Sequence, residues 1–150
     1  MEITIKSLMG PLGEPNHNGR IYNPEVIQKA IESWKEQGEI SHMGEMNRDY
    51  GWANADNDIH TSLQNVTHRV EDLWIENGEV CGKIKMLDTP KGRIAQSVIE
   101  YCGKTPKLSP RMLANKIPVL DEDGSPKLDA NGNQIYEIQD VQIVGVDIMV

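Results

Sequence analysis

Ser109 stands in the short stretch "LSPRM" (108–112), two residues before Arg111. A serine hydroxyl becomes a useful nucleophile only when a nearby base accepts its proton. Four histidines could supply one, His17, His42, His60 and His68, and spacing alone does not choose among them. Carboxylates are plentiful, notably Glu45, Glu71 and Asp72. With 23 acidic residues in the chain, close acidic pairs arise by chance, so no two-carboxylate chemistry follows from them. "DNDIH" (56–60) lacks the glycine and distal glutamate of a calcium loop, and "DEDGSPKLDANGN" (121–133) misses the twelve-residue spacing. No glycine-rich phosphate cradle is present. Neither a cofactor nor a metal is expected.

These residues must be held by elements that the patterning outlines. "EITIKSLM" alternates and predicts a first strand, and the Gly-, Pro- and Asn-rich "GPLGEPNHNG" predicts a loop. "YNPEVIQKAIESWKEQG" predicts a helix with Asn23 as cap, Pro24 in the first turn and Gly38 at the stop. Its apolar stripe is Val26, Ile27, Ala30, Ile31 and Trp34. Residues 39–62 are irregular and polar, and 46–60 are expected to be mobile without a partner. Two strands follow around the turn Glu76-Asn77-Gly78, an Asn-Gly hairpin signal.

"DTPKGRIAQSVIEYCG" predicts a second helix, capped by Thr89, with Ile94, Ala95, Val98, Ile99 and Cys102 inward. "KLSPRML" is a short strand, 117–138 a hairpin with an exposed acidic tip, mobile over 121–133, and "VQIVGVDIMV" a central apolar strand. About seven strands, mostly antiparallel, and two packed helices make an α+β fold, a sheet or barrel. A chain of 150 residues with no repeat or linker fits one domain, 1–150.

Composition narrows the function. A net charge of −8 without a basic run argues against nucleic acid as a partner. No stretch is apolar enough to span a membrane, and "MEITIKSLMG" has no signal-peptide core. Cys81 and Cys102 are too few for a disulfide framework and are expected to be reduced, buried thiols of a soluble protein.

Taken in order, "NHNGRIYNPEVIQKAIESW", "GEMN", "VEDLWIENGEVCGKIKMLDTPKGRIAQSVIEYC", "LSPRM" and "VGVDIMV" resemble the prohead core proteases of tailed bacteriophages. The resemblance runs from about residue 16 to the C-terminus. It implies a serine endopeptidase that cleaves phage scaffold and capsid precursors within the prohead, in the host cytoplasm. It also implies a homo-oligomer or incorporation in the viral assembly.

By the same resemblance the nucleophile falls on Ser109, and Arg111 is the arginine that helps stabilise the oxyanion. The family's Ser-Ser-Arg-Gly is here Ser109-Pro110-Arg111-Met112. The family's base histidine follows Gly-Glu-Leu-Asn, and the matching stretch is Gly44-Glu45-Met46-Asn47-Arg48. Arg48 is permanently charged and cannot accept a proton. His42, close in sequence, and His68, on the neighbouring hairpin, are the candidate substitutes, with Asp72 as the orienting carboxylate. Two functions compete: an active endopeptidase with a replacement base, and a catalytically silent homologue serving as a structural or assembly component of the particle.

Overall fold

The computed structural model describes residues 1–6, 8–48 and 60–150. The "DNDIH" stretch up to residue 59, and with it most of the 46–60 loop, lies outside the described residues. Among the described residues there are seven strands and two α-helices: β1 (Glu2–Ile5), β2 (Arg20–Tyr22), α1 (Pro24–Lys35), β3 (Met43–Glu45), β4 (Val66–Glu76), β5 (Glu79–Met86), α2 (Pro90–Tyr101), β6 (Lys107–Pro118) and β7 (Tyr136–Met149). One sheet runs β1-β5-β4-β3 and the other β2-β7-β6. A parallel bridge between Met46 and Ile148 joins them, and Asn47 donates its N–H to the Ile148 carbonyl at 2.8 Å. The strands therefore form a curved array from β1 to β6. Among the described residues no ladder joins those two end strands.

The Asn-Gly turn behaves as its residues require. Asn77 (φ 52°) and Gly78 (φ 75°) are both left-handed, which gives a tight turn whose twist matches the paired strands β4 and β5. The strand count matches expectation, but the strands are composed differently. β6 and β7 each join two segments that looked separate, because bulges at Arg111/Met112 and Leu113/Asn115 break the alternation. Asp140 at φ 54° interrupts it on the partner strand. β2 and β3, of three residues each, sit in stretches too short and polar to show alternation. β2 pairs with β7 in parallel, an exception to the antiparallel rule.

α1 buries Ile27, Ala30, Ile31 and Trp34 on the sheet, and Val26 is half-buried. Asn23 does not cap it through its side chain. That amide instead donates to Glu137 of β7 at 2.8 Å, which ties the helix start to the sheet. On α2, Thr89 caps as expected, accepting from the Gly92 N–H at 2.9 Å.

The apolar face of α2 is only partly covered. Gly92 and Ala95 are buried and Val98 and Ile99 half-buried, whereas Ile94 is 52% exposed and Cys102 is exposed. The helix approaches so closely at Gly92 that an added Cβ would meet the Leu87 and Thr67 carbonyls. Contact through such small residues covers a narrow stripe and leaves Ile94 and Cys102, both expected inside, at the surface. Cys81 is buried as expected.

The tip at 121–133 is exposed almost throughout, yet it closes two hydrogen-bonded turns, with Asp121 N–H to Ser125 O at 2.8 Å and Asp129 N–H to Asn133 O at 2.8 Å. No helix among the described residues is long and apolar enough to cross a membrane. Nor do three or more His, Cys, Asp or Glu side chains gather there as a metal site would require.

Candidate active site

Ser109 lies on β6 directly opposite Asp147 of β7. Opposed residues of an antiparallel pair share a face, and Arg111, two residues on, shares it too. Asp147 is fully buried and Arg111 is 4% exposed. The guanidinium holds the carboxylate with Nε at 2.8 Å from Oδ2 and Nη2 at 3.1 Å from Oδ1. Nη2 also donates to the Thr61 hydroxyl at 2.5 Å, which in turn donates to the Met43 carbonyl at 2.9 Å. A buried charge pair is tolerable only with such geometry and with its remaining atoms satisfied.

The network continues into β3. Asp147 Oδ1 accepts the Glu45 N–H at 2.9 Å. The Glu45 carboxylate accepts the Ser62 N–H at 3.1 Å and an Arg48 N–H at 2.6 Å. Arg48 also donates to the His60 carbonyl at 2.9 Å. Arg48 thus clamps residues 60–62 onto β3, and it lines a cleft of about 260 Å³ with Asn65, Thr67 and Lys91.

His68 is fully buried on β4. Its Nε2 lies 2.7 Å from the Val146 carbonyl, which can only accept, so Nε2 carries the hydrogen and donates. Nδ1 lies 2.6 Å from the Thr67 hydroxyl, which donates to it when the ring is neutral. Burial pushes the imidazole below its ordinary pKa, only partly offset by the Val146 hydrogen bond and the Asp147 charge. Both nitrogens of His68 are committed.

His42 follows α1 on a 3-10 turn, with its ring centroid 4.4 Å from that of Trp34. Its Nε2 donates to the Trp34 carbonyl at 2.8 Å. Asp72 sits at a bulge of β4, half-exposed, where it accepts the Leu73 N–H at 2.9 Å and pairs with Lys35 at 3.4 Å. The structure therefore brings Ser109, Arg111 and the neighbourhood of Arg48 together through Asp147. His42 and Asp72 make their contacts at α1 instead.

Ser109 itself is half-buried and lines a cavity of about 550 Å³ with Leu8, His17, Arg20, Tyr22 and Met112. The cavity lies between β6 and the segment that runs from Leu8 into β2.

A family model described as prohead core protein serine protease matches residues 10–150. The chain belongs to that family. Among solved structures, that of the bacteriophage T4 capsid assembly protease, gp21, is similar with a TM-score of 0.67 at 18% identity, covering 97% of this chain and 80% of that one. At that identity the likeness speaks for the shared fold. No curated protein matches the chain.

Sequence reasoning missed Asp147 and Thr61, and it gave Glu45 no role. One signal for Asp147 was available. It is the only charge in the apolar run "VQIVGVDIMV", and a charge buried in a central strand needs a partner such as Arg111.

Proposed function

We propose that this prohead-protease family member is a serine endopeptidase that cleaves phage scaffold and capsid precursors, with Ser109 as the nucleophile. One observation carries the reading: Ser109 is half-buried on an end strand and lines a cavity of about 550 Å³, large enough to receive a few side chains of a polypeptide. The Arg111–Asp147 pair holds β6 against β7 and so fixes the serine's backbone. Arg111, with Nε and Nη2 already bonded, acts mainly by position. Its charge is largely offset by Asp147, which weakens it as an oxyanion stabiliser. The protein works as one domain in the prohead within the host cytoplasm, as a homo-oligomer or as part of the particle, without metal or cofactor.

A specific observation favours a second reading. The family's base position holds Arg48, engaged by Glu45 and the His60 carbonyl, and a guanidinium cannot take the serine proton. A silent homologue serving in assembly would have such a site. Incubating the purified protein with its own phage's scaffold and capsid precursors separates the two. Cleavage lost in Ser109→Ala supports the endopeptidase, and intact precursors support the silent homologue.

A further inference from the structure

We infer that His17, which lines the same cavity as Ser109, supplies its general base. The inference rests on Ser109 being the nucleophile. Among the described histidines, His17 alone lines the cavity that Ser109 also lines. His68 has both nitrogens bonded and is fully buried. His42 packs on Trp34 and donates to its carbonyl. His17 is exposed, and no described group hydrogen-bonds its ring, so a lone pair of the neutral imidazole is available.

Its backbone is also fixed in place. The Asn16–Gly19 turn is closed by Gly19 N–H to Asn16 O at 2.9 Å, and the Asn16 side chain accepts from Asn18 at 2.9 Å and Arg20 at 3.1 Å. Gly19, at φ +76°, packs so tightly on the Gln134 carbonyl that an added Cβ would stand 2.5 Å from it. Its own carbonyl accepts the Tyr136 N–H at 2.8 Å. The turn that carries His17 is therefore stapled to the start of β7, the strand that pairs with β6. A base held on a braced turn meets the geometric demand of proton transfer better than one on a free loop.

A fluorophosphonate probe tests this without knowledge of the cleavage sequence. In the reaction the Ser109 Oγ–H bond breaks and its proton passes to an imidazole nitrogen of His17. The Oγ–P bond forms as fluoride leaves with its electron pair. The rate of labelling is measured for wild type, His17→Ala, His17→Gln and Ser109→Ala, each checked for folding by circular dichroism. General-base assistance is typically worth about a hundred- to ten-thousand-fold, so both His17 variants should label at least about a hundredfold more slowly. Added imidazole should recover part of the rate in His17→Ala alone, which a purely structural histidine would not permit. Labelling at Ser109 that is unchanged in both His17 variants overturns His17 as base and leaves the nucleophile standing. Wild type that fails to label at Ser109 overturns the nucleophile, and this inference with it.

Discussion

Across β6, β7 and β3, Arg111, Asp147, Thr61, Glu45 and Arg48 are linked by hydrogen bonds, and no buried side-chain nitrogen or oxygen among the described residues lacks a partner. At the edge of β6, Ser109 and His17 line a cavity of about 550 Å³, and neither side chain has a described hydrogen-bond partner. The first region spends its polar groups on holding strands together; the second keeps them free. A functional side chain must keep its lone pairs for a substrate, and the fold must fix it by other means. Here the satisfied network under β7 does the fixing.

The sharpest way to break this comparison is to unbalance the network. Asp147→Ala leaves Arg111 charged, 4% exposed and stripped of both carboxylate oxygens. Removing one partner of a buried pair typically costs about 3–5 kcal/mol, so urea midpoints should fall by most of the stability of a small domain. A loss under about 1 kcal/mol would mean that the network does not support the fold.

Arg48→His acts at the outer end of the same network. An imidazole is too short to span both the Glu45 carboxylate and the His60 carbonyl, which Arg48 reaches at 2.6 and 2.9 Å. These bonds are partly exposed, the side chains being 16% and 10% accessible, so the loss should be about 1–2 kcal/mol. Chemical denaturation measures it. An unchanged midpoint would make Arg48 an idle surface charge.

Much of this arrangement was legible in the sequence. Pro24 and Pro90 at helix starts, the Asn77-Gly78 turn and the stripe from Ile27 to Trp34 are local signals, and each is borne out by the structure. The pairing of Arg111 with Asp147 spans 36 residues, and no local pattern reports it. Nor does periodicity show that α2 presses on the sheet through Gly92 rather than through Ile94. His17 looked like one loop residue among others, and only the folded turn brings it to the cavity of Ser109.

His68 sharpens the comparison through pH. Its folded pKa lies below the ordinary imidazole value because burial disfavours the charged ring. Below about pH 6.5 the unfolded chain takes up a proton at this residue that the folded chain resists. The stabilisation is therefore complete above that pH and lost as pH falls beneath it, with a slope of at most about 1.4 kcal/mol per unit. Urea midpoints at pH 7.5, 6.5 and 5.5 should decline toward acid, and His68→Gln should flatten the decline. An equal decline in that variant would assign the effect to other groups.

The smallest effect belongs to Ser109→Ala. Its hydroxyl has no described partner, and the residue is half-buried at the lining of a cavity. Removing it strands no buried donor or acceptor and opens no new void in the core, the two routes by which a substitution becomes costly. The strand position is kept by the backbone ladder to Asp147 and by Arg111, neither of which the change touches. Stability should therefore shift by no more than about 0.5 kcal/mol in either direction, as read from urea midpoints, while any hydrolysis or probe labelling through this site disappears. A cost near 2 kcal/mol would place Ser109 with Asp147 among the residues that hold the fold, and would remove the contrast between the bonded network and the cavity lining.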